Sequence, residues 1–290
     1  MAKNKSQQAV ATPKPAADPL AALAPKRLFW RVGPFVVGTW VLAALAARPW
    51  VYIVAGVLTA AGAAALIWLL RFTGRTRQVA QLLQTANTAE GRKEALEKLQ
   101  TDFKKGEASA VFARAQLLLQ EPDGATRALA ALQEIDLNKA MAPVADEARA
   151  QRAMIHLMIG ETDAARALVD GIELSRHQQA KSRAMLAAIV AEAWARTGQA
   201  KKALDTLGVF EPEDPEFEEL RPQLYRARAF TFASLNDTRA MRAALHRLMK
   251  INPQILGGFL TKKVHPLLQK EARQLLERSG IVPRKVVYKH

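Results

Sequence analysis

The sequence has no cysteine among its 290 residues. Disulfide frameworks and cysteine-based zinc sites are therefore excluded, and the composition suits a reducing compartment without requiring one. Histidine is also scarce, and its five occurrences do not show the spacing of metal ligands: His156, His177, His246, His265 and His290. We predict no metal site and no cofactor.

Motifs that carry catalysis are missing as well. No glycine-rich phosphate loop appears, since Gly257 and Gly258 form only a lone pair in a turn. No serine lies in the setting of a nucleophile elbow. Aspartate and glutamate are spread along helical segments, where pairing with Lys and Arg one helical turn away explains many of them. The sequence therefore predicts neither an enzyme nor a small-molecule substrate.

No segment alternates between apolar and polar residues for long enough to form a half-buried strand. After residue 77 the chain reads as helices of about 10 to 20 residues, separated by short polar or glycine-containing breaks. Alanine and leucine are frequent there, and both favour helix. We predict an all-α fold, including helices over 78–84, 142–159 and 162–174.

A strong excess of positive charge would ordinarily suggest a nucleic-acid partner, because the net charge is +15. The excess is not spread evenly along the chain. Residues 78–258 contain 24 basic and 24 acidic residues, whereas residues 1–77 contain 10 and 1 and residues 259–290 contain 8 and 2. The central region is neutral, so we predict no nucleic-acid partner and ascribe the N-terminal excess to lipid headgroups.

Two long apolar runs, 28–47 and 50–70, are separated only by Arg48 and Pro49. A helix of roughly 20 apolar residues crosses a bilayer, and small residues in both runs would let two such helices pack closely. We predict a transmembrane hairpin over 28–71, although a re-entrant hairpin would show the same pattern. Lysines and arginines flank both outer ends and face anionic lipid, which places both termini on the cytoplasmic side of the inner membrane.

Breaks recur at a constant interval in the second half of the chain. Gly160, Gly198 and Asn236 are equally spaced, and Gly124 precedes the first of them at a slightly shorter interval. When the sequence is aligned on the three breaks, four positions carry similar residues in each repeat, and each such position is called a column here. The small column before the break is Ala153, Ala191 and Ala229, and the bulky column is His156, Trp194 and Phe232. The two apolar columns after the break are Ala165, Ala203 and Met241, and Val169, Leu207 and Leu245. Pro215 follows Gly198 at the same distance as Pro253 follows Asn236. His177 occupies the equivalent position after Gly160.

These columns resemble the tetratricopeptide repeat (TPR), a family of paired antiparallel helices. The resemblance covers about 146–253, extends in degenerate form back to about 78, and implies a helical solenoid. The repeat is somewhat longer than is usual in the family, which predicts longer helices or loops. Gly91 and Gly124 fall outside the constant spacing, and a generic α-helical bundle remains the alternative.

The resemblance implies that the first helix of each pair lines a concave groove for a protein partner. The residues implied at this face are Glu147, Ala150, Met154, Leu157, Met185, Ala188, Glu192, Ala195, Gln223, Arg226, Phe230 and Ala233. Only Arg226 suits the carboxylate clamp of some family members, and the apolar remainder suits an amphipathic helix or an extended segment. Met154 and Phe230 are equally compatible with core positions.

The resulting organisation has four parts: a disordered basic tail (1–27), the transmembrane hairpin (28–71), a TPR-like solenoid (78–258), and a capping helix with a basic tail (259–290). The acidic stretch 211–219 is interpreted as a solvated loop or as a docking site for a basic partner. We predict a membrane-tethered scaffold that recruits proteins. A permanent subunit of a larger membrane assembly and a regulator of a membrane enzyme remain alternatives.

Overall fold

The computed structural model describes residues 49–261 and 263–281. The predicted tail 1–27 and the predicted first span 28–47 lie outside these residues. Over the described ranges every regular element is a helix and no strand occurs, which confirms the all-α prediction. The chain divides into two compact units, Met1–Thr76 and Arg77–His290.

The α-helices follow one another with short connections, and we number them α1 to α11. Their bounds are Pro49–Thr85, Ala89–Thr101, Ala108–Leu118, Gly124–Leu132, Ala142–Ile159, Thr162–Val169, Ala180–Arg196, Ala200–Gly208, Arg221–Ser234, Thr238–Ile251 and Pro266–Arg278. Three 3₁₀ helices lie at Leu174–Arg176, Pro215–Leu220 and Pro253–Leu260.

The predicted second span, 50–70, lies within α1, which continues to Thr85. The short separate helix predicted over 78–84 is therefore the end of this longer helix. None of the helices in the described part of the chain combines the length and the apolar character that crossing a membrane requires.

Helices α5 to α10 form three pairs, in which α5, α7 and α9 are the first helices. Each first helix packs against the second helix of its own pair, and α7 also packs against α5 and α9. The packing depends on the aligned columns. The small column and both apolar columns are fully buried in all three pairs, at Ala153, Ala191, Ala229, Ala165, Ala203, Met241, Val169, Leu207 and Leu245.

The breaks between paired helices share one turn geometry. Gly160, Gly198 and Asn236 all adopt positive φ, of 79°, 84° and 58°. In each turn the next residue donates its N–H to the carbonyl of the bulky column, at His156, Trp194 and Phe232, over 2.8–2.9 Å. This hydrogen bond is characteristic of a Schellman motif. The constant spacing of the breaks therefore arises because the first helix of each pair ends in the same type of turn.

Short 3₁₀ helices lie in the connections that follow the paired helices. Pro215 and Pro253 each open a 3₁₀ helix, and the preceding Asp214 and Asn252 cap it by accepting the N–H two residues on at 2.9 Å. The first linker has no proline, and His177 replaces it. Its Nε2 lies 3.2 Å from Oδ2 of the fully buried Asp146, which ties this linker to α5.

Arginines on two first helices stabilise the ends of the helices before them. Arg152 Nη2 donates to the carbonyls of Leu132 and Ile135 at 2.6 and 2.7 Å, after α4. Arg228 Nη2 donates to the carbonyl of Phe210 at 3.0 Å, after α8. A cation at a helix C-terminus satisfies free carbonyls and complements the helix dipole.

Helix α11 covers the end of the last pair with its apolar face. Leu268, Ala272, Leu275 and Leu276 are buried there, as the predicted capping helix requires. A bidentate ion pair fixes the helix to α10, because Arg242 Nε and Nη2 donate to the two Glu271 carboxylate oxygens at 2.8 and 2.7 Å.

Acid should release this cap before the other contacts of α11. The hydrogen bond from Arg242 lowers the pKa of Glu271 below the usual 4.5, although burial opposes it. A lowered pKa stabilises the fold above the ordinary pKa, and that stabilisation is lost as the pH falls through the folded value. We expect Glu271→Gln to lower the Tm of the full-length chain in detergent at pH 7, and we expect this loss to shrink as the pH falls through the pKa of Glu271 in the folded chain. Glu277→Gln on the same helix is the control, and a loss in Tm that stays constant from pH 7 into the acid range would contradict this role of Glu271.

Candidate functional site

The residues predicted to face a groove lie on the three first helices, and the structure brings most of them together. Two adjoining cavities cross α5, α7 and α9. Six of the eight main candidates line them, namely Met154, Leu157, Glu192, Gln223, Arg226 and Phe230. Glu147 and Met185 do not line either cavity; the Glu147 carboxylate instead accepts a 2.9 Å hydrogen bond from Gln151 on its own helix.

The larger cavity, here called the Arg196 cavity, has a volume of about 450 Å³. Its walls are the ends of α5 and α7, the middle of α9 and the segment after the last 3₁₀ helix. They are formed by Leu157, Met158, Ile159, Gly160, Arg196, Arg226, Phe230, Gly258, Thr261, Lys263 and Val264. Three of these residues, Leu157, Arg226 and Phe230, were among those predicted to face a groove.

The smaller cavity, here called the Met158 cavity, has a volume of about 170 Å³. It shares Leu157, Met158 and Arg226 with the larger one and adds Met154, Ala188, Ile189, Glu192 and Gln223. Met154 and Met158 are 36% and 53% exposed, so two thioether side chains form an accessible apolar surface. Methionine adapts readily to differently shaped apolar partners.

A buried ion cluster separates the two cavities. Arg226 Nε and Nη2 donate to the Glu192 carboxylate oxygens at 2.8 and 3.0 Å, and Arg196 Nη1 donates to the same carboxylate at 3.1 Å. The side chains of Glu192 and Arg196 are only 8% and 7% exposed. The charge of Glu192 raises the pKa of Arg226, so this guanidinium is cationic at every physiological pH.

Phe230 is a core residue and not an open groove position. It is 2% exposed, and its ring centroid lies 5.3 Å from that of Phe259 in the last 3₁₀ helix. The Arg196 guanidinium lies 4.9 Å from the same ring centroid, which is the distance of a cation–π contact. Leu157 is also buried. The accessible part of the three first helices at this site therefore consists of Met154, Met158, Gln223 and part of Arg226, and Gly258, Thr261 and Lys263 are exposed on the opposite wall.

The segment that contains Lys263, after the last 3₁₀ helix, forms one wall of the Arg196 cavity. Lys263 Nζ donates to the carbonyl of Ile159 at 2.7 Å, joining residues 104 positions apart. Its side chain crosses Gly160 so closely that an added Cβ there would lie 2.1 Å from Lys263 Cδ. Sequence patterns gave no sign of this contact, because Lys263 lies far outside the aligned repeats.

Several carboxylates of the acidic stretch 211–219 bond to or pair with other side chains of the same chain. Glu213 accepts a 2.6 Å hydrogen bond from the Tyr225 hydroxyl and lies 3.4 Å from Arg247 Nη1. Burial and the bond to Glu213 raise the pKa of Tyr225 to about 12. Glu211, Glu218 and Glu219 lie within 3.2–3.7 Å of Arg228, Arg221 and Lys181. These contacts favour a structural linker.

In the described part of the chain, no group of three or more His, Asp or Glu side chains could hold a metal ion. Comparisons with protein-family models, with curated proteins and with solved structures found no match to this chain.

Proposed function

We propose that this chain is a membrane-tethered, TPR-like scaffold that holds a segment of a partner protein across its first helices. The observation that carries the proposal is the pair of adjoining cavities across α5, α7 and α9, lined by six of the residues that the TPR resemblance implies at a groove. Helical repeats form such extended surfaces, and they recognise segments of other proteins through them.

The solenoid part of the proposal is supported by repetition at three levels. The small column and both apolar columns are buried alike, the turns share one hydrogen bond, and each first helix packs on the next. A generic bundle does not require the same contact at equal intervals along the chain, whereas a stack of equivalent units does.

The tether is proposed from the sequence of residues 28–70. Both runs are apolar, the second is uncharged throughout, and basic residues flank the outer ends. This pattern is typical of two helices that enter and leave from the cytoplasmic side of the inner membrane. Confining a binding surface near one membrane raises the effective concentration of partners that meet there.

Photo-crosslinking from the accessible part of the site tests this function. A photoreactive amino acid placed at Met154 or at Gln223 in the full-length chain should capture one discrete partner in native membranes. Both positions are exposed, so the substitution should leave the fold intact. The same probe at Lys201, exposed on the second helix α8, is the matched control and should not capture it.

Variant Met154→Glu is expected to reduce this capture at least fivefold, because it places a charge on the apolar surface beside Met158. Carbonate extraction of the same membranes should leave the chain in the pellet. If all three positions crosslink to the same large assembly, the permanent-subunit interpretation replaces the scaffold.

A further inference from the structure

The Arg196 cavity concentrates positive charge. Three cations line it, Arg196, Arg226 and Lys263, and none of the described residues that form its walls is acidic. The nearest carboxylate is Glu192, which bonds to both arginines and therefore offsets only one of the three charges. A partly enclosed site with two uncompensated cations favours an anionic ligand, since charges interact more strongly there than in water.

One donor in this cluster has no partner. Arg196 Nη1 is shared between Glu192 and the carbonyl of Leu157, but the buried Nη2 makes no hydrogen bond within the part of the chain that the structure describes. A buried donor without a partner is unfavourable, so an acceptor that came within reach of it would relieve that cost. Lys263 has further donor capacity, because an ammonium carries three protons and the Ile159 carbonyl accepts one.

The two cavities also differ in character. The Met158 cavity is lined by Met154, Leu157, Met158 and Ile189, whereas the cations line the Arg196 cavity. Arg226 belongs to both walls, so its guanidinium lies along the path of any segment that occupies both.

We propose that the Arg196 cavity binds the carboxylate of an Asp or Glu side chain in a partner segment, while a neighbouring apolar side chain enters the Met158 cavity. The proposal rests on the proposed function and specifies the chemistry of the partner. Arginine recognises planar carboxylates through paired donors.

Capped peptides can serve as probes. The full-length chain in detergent micelles, labelled with ¹³C at its methionine methyl groups, is titrated with Ac-Leu-Ala-Glu-Leu-NH2, whose only carboxylate is the glutamate side chain. We expect the methyl signals of the exposed Met154 and Met158 to shift, while that of the buried Met241 stays in place. The matched glutamine peptide should bind at least tenfold more weakly.

Two substitutions connect this binding to the cavity. Lys263→Met should weaken the glutamate peptide about fivefold without unfolding the chain, because the Lys263 side chain is exposed. Arg196→Gln should weaken it at least tenfold. Arg228→Gln is the control, because Arg228 bonds to carbonyls outside the cavity, and it should leave the affinity unchanged.

Equal binding of the glutamate and glutamine peptides would overturn the proposal. So would tighter binding of a phosphoserine peptide, or of the glutamine peptide with a free C-terminal carboxylate. If crosslinking from Met154 and Gln223 still captures a discrete partner in that case, only the chemistry of the ligand is wrong. If crosslinking fails as well, the proposed function also fails.

Discussion

Replacing Glu192 by alanine is expected to lower the free energy of unfolding by about 3–5 kcal/mol. Its carboxylate is the common acceptor for Arg196 and Arg226, at 2.8–3.1 Å. Removing it leaves the Arg196 guanidinium, whose side chain is only 7% exposed, beside a second cation with no counter-charge. The cost arises mainly from this uncompensated buried charge and much less from lost packing.

Thermal unfolding of the full-length chain in detergent, followed by circular dichroism, measures this effect. Glu94→Ala is a matched control, because Glu94 pairs with Lys98 at 2.6 Å on an exposed helix face. That change should cost far less, because an exposed ion pair contributes little to stability. The triple variant Glu192→Leu, Arg196→Met, Arg226→Met should recover most of the stability, since an apolar cluster has no charge to desolvate. A Glu192→Ala variant as stable as the Glu94→Ala control would contradict the ion-cluster argument.

Replacing Phe259 by alanine is expected to cost about 3–5 kcal/mol and to detach the segment that forms one wall of the Arg196 cavity. Phe259 is 1% exposed and packs on Phe230, with the Arg226 guanidinium 5.9 Å from its ring centroid. Without this ring, the 3₁₀ helix Pro253–Leu260 loses its aromatic contact with Phe230 on α9.

Hydrogen exchange distinguishes this local release from general unfolding. Amides of residues 253–264 should exchange much faster in Phe259→Ala, while those of α7 should remain protected. Val209→Ala, at a 75% exposed apolar residue, should change neither region. Uniform loss of protection over all three pairs would show that Phe259 supports the whole stack.

The paired helices could be predicted because their signals are local. Helix α5 begins and ends where the sequence predicted, at Ala142 and Ile159, since Pro143 marks its first turn and Gly160 its end. The predicted helix 162–174 was too long and ends at Val169, because helical periodicity does not distinguish an α-helix from the turn and 3₁₀ helix that follow.

Other features depend on geometry that no spacing rule contains. The turn before α4 has its left-handed residue at Asp123, one position before the glycine that the sequence suggested. Gly124 is the first residue of α4. This shift by a single position partly explains why the upstream helices did not fit the constant spacing.

The candidate site was predicted in part. Repeat spacing selected the helix faces that meet, so Met154, Gln223 and Arg226 were found. The repeat spacing did not reveal that Glu192 and Arg226 form an ion pair with each other, or that the Phe259 ring packs on Phe230. Arg196 and Lys263 were missed, because their hydrogen bonds to the carbonyls of Leu157 and Ile159 join residues 39 and 104 positions apart.

The hydrogen bond between Lys263 and the Ile159 carbonyl also bears on the order of events during synthesis. Contacts within and between neighbouring pairs are close in sequence, and they can form while the chain is still emerging from the ribosome. Lys263 follows all three pairs along the chain, so it is synthesised after the helices that it joins. The last wall of the Arg196 cavity therefore closes only when the whole stack has been made, and an unfinished protein would present the pairs without the complete site.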